Sequence, residues 1–589
     1  MAFPLRSLIL SLSLALAAAP AFSSEPPGLM HLPDVKAGMK GTGRTVFQGG
    51  KIETFNFEVL GVLRNVAPGH SYILIRASGG PLAQTGILAG MSGSPCYIDG
   101  KLIGAVAIGW GFEKEPIGGV TPIGEMLEGL KDLSDAPAPR TPLILPKLEP
   151  PKVLKTALSG GMIPMSELLG PQEVPNGGQM LPLPVYGAST APEFAPFWQG
   201  LPLRPMAAPG GGSGGGEPSP LEPGGMVAIN LVQGDFNISA AGTITYVSGK
   251  KVYCFGHQLY NLGPVDLPLW SATVAACLPS VNESFKIASP VAPAGALRLD
   301  RAMGVAGLLG AEPRTVSMRL GLNLGGRRNL NLRFELMDHP LLTPNLAAIT
   351  LAQALSAHVK GQGFQSLSLQ GNIKVAGHPP IEIENMVADL NGTRLASYLG
   401  GVLQTLTLNP WERANIEGIS LTVKAEDRLD LTAIAGVRTL KARVKRGSTL
   451  PVYVMLQNIQ GSRESVVMNL FVPPSARPGK ATLLVGDGFS LVQADPDERA
   501  IDLSSLGDLV RMLNGGLKNN HAYALLVQAQ PGAGLRGSRI EGIPPTVVSM
   551  LGADGDLNAN RLQRQIISRA VLPLESEVRG LTAMELEVE

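Results

Sequence analysis

The chain is short of charge, aromatic rings and cysteine, and each shortage narrows what it can be. Charged residues make up 16% of the 589-residue sequence, against about 25% in an ordinary soluble domain. The 48 lysines and arginines are offset by 47 aspartates and glutamates, so no long-range field exists to gather nucleic acid or an anionic membrane. There are three cysteines, Cys96, Cys254 and Cys277. One must stay unpaired within a monomer, and with the scattered histidines they lack the spacing of a zinc site. No phosphate-binding loop, dinucleotide fingerprint or HExxH helix occurs, so neither a cofactor nor a metal is expected. After the N-terminus no run reaches about 18 uninterrupted apolar residues, and no membrane-spanning segment is expected in the mature chain.

What the chain has in abundance is turn-forming residues: its 72 glycines and 49 prolines point to many short strands and a mainly β protein. The N-terminal "MAFPLRSLILSLSLALAAAPAFSS" joins Arg6 to a short apolar core and then to small residues. This is the pattern of a secretory signal over 1–23, which predicts an exported protein, periplasmic or extracellular. Residues 32–133 read as short strands with turns, closed by a helix at "IGEMLEGLKDL". A Pro/Gly-rich connection spans 134–225 and includes the low-complexity "APGGGSGGGEPSP". A second β-module covers 226–319, an α+β region with helices at "LAAITLAQALSAHV" and "RLASYLGGVLQTL" covers 320–430, and alternating strands over 431–495 predict a β-sandwich-like domain. The rest, 496–589, is a mixed segment. Cys254 and Cys277 lie on strand-like runs parted by a turn, so a bridge between them is sterically open.

The segment "GILAGMSGSPCYIDGKLIGAVAIGW" sets Ser92 between glycines at the end of an apolar run. A nucleophilic serine needs an exposed hydroxyl, a base in reach and N–H donors aimed at a developing oxyanion. Gly90 and Gly93 permit the sharp turn that would direct the Gly90 and Ser92 N–H groups into one concavity. A glycine–serine turn between strands is more often a purely structural device, so these six residues do not by themselves make Ser92 a nucleophile.

The wider segment, through "GFEKEPIGGVTPIGEML", resembles the surroundings of the catalytic serine in the stage IV sporulation protein B (SpoIVB-type) peptidase family, relatives of the chymotrypsin-like serine proteases. Far downstream, "GTITYVSGKKVYCFGHQLYNLGP" resembles the family segment that carries the catalytic histidine. The resemblance implies a chymotrypsin-like double β-module, a protein or peptide substrate, Ser92 as nucleophile and His257 as general base. Two departures stand out. Ser92 precedes His257 by 165 residues, the reverse of the family order, which a permuted pair of modules would explain because triads depend on geometry and not on sequence order. The position of the family's aspartate falls on Ser78, which can accept a histidine N–H but carries no charge. Asp266 is the first substitute by closeness in sequence, with Asp235 and Asp300 behind it; otherwise Ser78 or a backbone carbonyl takes the place and activity is slow. A Cys96–Cys254 bridge, flanking serine and histidine, competes with Cys254–Cys277. Two functions are expected from this chain: an exported serine endopeptidase, or a protease-like module retained for binding or assembly in the cell envelope, with C-terminal domains that engage an envelope protein.

Overall fold

The computed structural model describes residues 28–589 apart from 112, 144–149, 170–178, 182, 200–202, 207–216, 326–328, 360–364, 390, 495–502, 530–531, 536–537, 541–542, 554–559 and 563. The expected signal segment lies outside the described residues.

Six antiparallel strands form the first unit: β1 (Lys40–Val46), β2 (Ile52–Ala67), β3 (His70–Ser78), β4 (Pro95–Ile98), β5 (Lys101–Gly109) and β6 (Ile117–Pro122). They follow one another in the order β4-β1-β2-β3-β6-β5, and pairing of β4 with β5 closes the ring into a barrel. Closure removes sheet edges and gives each strand one face toward a shared interior. That is why β3 alternates strictly, with Ser71, Ile73, Ile75 and Ala77 buried between more exposed neighbours. Phe55, Phe57, Ile73, Ile75, Leu88, Met91 and Val106 fill the interior. A short strand, β7 (Gln179–Met180), extends β5 from within the connecting region.

After β8 (Leu183–Tyr186) and β9 (Leu203–Pro205), a second ring forms from β10 (Met226–Gly234), β11 (Ile238–Ser248), β12 (Lys251–Cys254), β13 (Gly263–Leu278), β14 (Phe285–Arg301) and β15 (Gly304–Leu309). Its order is β10-β13-β14-β15-β12-β11, all antiparallel, with a β10–β11 pairing that closes it. The two rings are stitched together by reciprocal hydrogen bonds between Gly49 and Val274, and by Ala89 N–H to the Ser284 carbonyl at 2.9 Å.

The sheet does not stop at the second ring. From β10 it continues through β17 (Leu330–Met337), β16 (Thr315–Asn323), β20 (Ile416–Glu426), β18 (Gln365–Val375) and β19 (Ile381–Asp389). Helices Leu342–His358 and Thr393–Thr407 pack against it, and ring and helices share one apolar core. The division expected at 319/320 therefore runs through β16, because a strand's alternation tells which face is buried and not which neighbour it pairs with. The 134–225 connection also contributes helices, at Pro150–Leu158 and Met165–Leu169.

Beyond Glu426, a four-stranded and a five-stranded sheet enclose a separate apolar core of Val452, Val454, Leu470, Leu483, Leu526 and their neighbours. This two-sheet unit takes in His521–Gln528, Gln565–Pro573 and Leu581–Val588 as well as the strands expected before residue 495. Among the described residues no helix is long and apolar enough to cross a membrane.

Candidate active site

The serine turn is built by glycine. Gly90 and Gly93 both take φ +94°, a region L side chains avoid. A Cβ on Gly93 would sit 2.0 Å from the Thr243 carbonyl oxygen and 2.5 Å from the Phe255 nitrogen, so the turn is pressed directly onto the second barrel. Within it, Ser94 N–H donates to Met91 O at 2.9 Å, and Gly93 N–H donates to Val106 O at 2.7 Å. Strand β11 grips the turn from the other side. Thr243 N–H donates to Ser92 O at 2.9 Å, the Thr243 hydroxyl to Gly90 O at 3.0 Å, and the Thr245 hydroxyl to Gly93 O at 2.8 Å. Among the described residues the Gly90 and Ser92 N–H groups have no acceptor, as donors reserved for an incoming oxyanion would require.

The histidine stands in a second tight segment between β12 and β13. Phe255, a bulky residue, takes φ +72° and is followed by Gly256 at +67°. Strain of this sort persists only where the surroundings enforce it, and it gathers at functional sites. Here the surroundings are the first barrel: the Thr121 hydroxyl on β6 donates to Gly256 O at 2.7 Å, and a Cβ on Gly256 would meet Ala105 and Val106. The serine turn and the histidine segment thus meet at one junction, each locked by the other's barrel.

Ser92 is fully buried and His257 is 4% exposed. His257 Nδ1 lies 2.7 Å from the Gln258 carbonyl oxygen. A carbonyl can only accept, so Nδ1 carries the proton and Nε2 carries the lone pair, the tautomer a general base needs. Nε2 and the Ser92 hydroxyl are both buried without a hydrogen-bond partner, so no hydrogen bond joins them to each other. Burial pulls the His257 pKa down to about 4, an effect the Gln258 and Leu181 backbone beside the ring only partly offsets. Leu181, buried next to β7, helps close the site from solvent.

Among the described residues no carboxylate is hydrogen-bonded to the ring. Asp266 does not serve, because its two oxygens are engaged by Arg298 and by Arg314, the latter at 2.7 Å, deep in the second barrel. Ser78 is exposed at the end of β3, opposite Asn56, and bonds to neither ring nitrogen. Asp235 accepts from Arg333 N–H at 2.6 Å in an exposed turn. Asp300 is fully buried and accepts from the Leu259, Tyr260 and Leu262 N–H groups, so it fixes the loop that leaves His257 without touching the ring. Its pKa rises to about 6 through burial, against the pull of those N–H donors. All three cysteines are free thiols, so neither expected bridge forms.

Three residues escaped the sequence reading. Thr243 stood unremarked inside the histidine-bearing segment. Glu113 accepts from Ile87 N–H at 2.8 Å below the serine turn, and burial raises its pKa to about 7. Lys286 is a fully buried amine beside Gly90, and its only sequence signal is a charge at the head of the uncharged run 287–297.

Residues 25–121 match the model of the SpoIVB peptidase S55 family. The match takes in the first barrel with its serine turn and ends ahead of the histidine segment. No curated protein and no solved structure matches the chain.

Proposed function

We propose that the protein is an exported serine endopeptidase of the cell envelope, with Ser92 as nucleophile and His257 as general base across two chymotrypsin-like barrels in exchanged chain order. The observation that carries this reading is the pair of unpartnered buried atoms, Ser92 Oγ and His257 Nε2, on two strained segments that interlock. An orphaned buried polar atom costs about 1–3 kcal/mol; such atoms also occur away from the junction, as at Asn345 and Thr350, and what sets this pair apart is that both stand on positive-φ segments pressed against each other's barrel. In the reaction Ser92 Oγ attacks the peptide carbonyl, its proton passes to Nε2 and on to the leaving amine, and the Gly90 and Ser92 N–H groups receive the oxyanion.

With the Gln258 carbonyl in place of an aspartate, the ring is oriented but its charged form gains little, so turnover is slow; loss of that carboxylate function costs roughly 10⁴-fold in the serine protease triad. The same closed, acid-less site supports a second reading, a protease-like module kept for binding or assembly. A fluorophosphonate probe separates the two. The peptidase reading expects labelling at Ser92 that is lost in both Ser92→Ala and His257→Ala, whereas a folded wild-type protein that stays unlabelled leaves the binding module.

A further inference from the structure

We propose that Lys286 is a positioning residue for the serine turn, its neutral amine holding Ser94 through the hydroxyl of Thr45 and thereby fixing the Gly90–Ser94 loop that presents Ser92. The inference rests on the reading of Ser92 as nucleophile.

Lys286 lies on β14 of the second barrel, yet its backbone N–H and its amine both bond to residues of the first. Its backbone N–H donates to Ala89 O at 3.1 Å, one residue before the turn. Its methylenes line the floor of the turn, 3.4–3.5 Å from where a Gly90 Cβ would stand. Its Nζ lies 2.7 Å from Thr45 Oγ1, which in turn accepts from Ser94 Oγ at 3.0 Å. Lys286, Thr45 and Ser94 are each completely buried.

Hydrogen-bond bookkeeping fixes the state of the amine. Thr45 Oγ1 is the oxygen bonded to the amine among the described residues, so two N–H protons are unmet in either state; the charged form in addition buries a full charge and, because an ammonium can only donate, leaves the Thr45 hydroxyl proton unmet. A neutral amine has a lone pair. Ser94 then donates to Thr45, Thr45 donates to Nζ, and the chain of hydroxyls is satisfied in one direction. Burial lowers the Lys286 pKa to about 7. The groups facing it are Thr45 and Ser94, the half-buried Cys277 directly opposite on β13, Glu53 on β2, and the Tyr186 hydroxyl, which donates to the Lys286 carbonyl. Cys277 and Glu53 favour the charged form but do not outweigh burial. Protonation would reverse the Thr45 bond, strand the threonine's own proton and loosen the turn.

His257, with its pKa near 4, stays neutral through the range in which Lys286 titrates. The acid limb of Ser92 reactivity therefore belongs to Lys286. The test is the rate of fluorophosphonate labelling of the full mature chain from pH 5 to 9. In the wild type the rate should fall through a single titration centred near pH 7 and level off about tenfold lower. Lys286→Met should be about tenfold slower at pH 8, the scale of a slightly misplaced catalytic group, and flat with pH down to about 5.5. Thr45→Val should reproduce the flattening and serves if Lys286→Met does not fold. A limb near pH 7 that survives in either variant, or a wild-type limb near pH 4 alone, overturns the proposal.

Thermal stability gives a readout free of activity. The folded lysine is neutral above about pH 7 while the unfolded one stays charged to about 10.4. The stability gap favouring Lys286→Met should therefore narrow as pH rises through that window. An unlabelled wild type with this narrowing intact would refute the nucleophile, and the role of Lys286 with it; a labelled wild type whose profile Lys286→Met leaves unchanged would refute Lys286 alone.

Discussion

The junction between the two barrels and the two-sheet unit after Glu426 handle buried polarity in opposite ways. At the junction, a hydroxyl, an imidazole nitrogen and a carboxyl oxygen of Ser92, His257 and Glu113 are buried without partners, and Phe255 is held at positive φ. In the C-terminal unit, among the described residues, no buried side-chain polar atom lacks a partner. Its deeply buried carboxylates are met, Glu577 by Arg394 at 2.7 Å and Arg579 at 3.0 Å and Asp487 by the Ser490 and Gly580 N–H groups at 2.8 Å, and its strands alternate plainly, as in Thr449–Asn458. Agreement between local pattern and burial runs through the C-terminal unit, and the junction departs from it.

The comparison can be broken at its glycines. Gly93 and Gly461 both have positive φ, +94° and +88°. A methyl at Gly93 strikes the Thr243 carbonyl, whereas one at Gly461 meets nothing within 4 Å. Gly93→Ala is expected to cost about 4 kcal/mol or more in denaturant unfolding and to abolish probe labelling. Gly461→Ala should cost only about 1 kcal/mol, the backbone penalty alone, and spare labelling. Equal losses would show that the junction is no tighter than an ordinary hairpin.

A smaller effect, and one sensitive to pH, comes from His257. Its pKa falls from 6.5 in the unfolded chain to about 4 in the fold, so the unfolded state binds more protons between these values. Stability from keeping the ring neutral is complete above pH 6.5 and is lost as pH falls toward 4, by about 3 kcal/mol. Comparing melting of the wild type and His257→Gln from pH 7 to 4 checks this, with the wild type losing stability the faster. Parallel curves would mean that the ring is solvated.

The smallest effect belongs to the C-terminal unit. Arg443 pairs with Glu587 at 3.0 Å with both side chains more than half exposed. Arg443→Ala should change stability by less than about 0.5 kcal/mol, with labelling untouched. A change above 1 kcal/mol would show that the surface of this unit is not the well-solvated one its strand pattern suggests.

Much of the site was legible. "GMSGSP" marks its turn because only glycine reaches the φ of residues 90 and 93, and "FGH" marks the other segment by the same logic at Gly256. Helices at Leu342–His358 and Thr393–Thr407 showed in their apolar patterns. The third partner of His257 was not legible. It is the Gln258 carbonyl, and every residue has a carbonyl, so no sequence signal distinguishes it. Asp266 looked free by proximity, and its arginines, 32 and 48 residues away, look like ordinary surface charges until the fold buries them together.

The sequence by itself determined the local devices: a glycine-bound serine turn, a strained histidine segment, and strands whose alternation presets one buried face. Those follow from φ/ψ sterics and from period-two side chains, which need no distant partner. Only the tertiary structure decided which strands close which ring, that the two segments interlock although 165 residues separate Ser92 from His257, and that Lys286 meets Thr45 across 241 residues. Pairings of that range are set by the competition between loop closure and burial over the whole chain, and no window of sequence contains that balance.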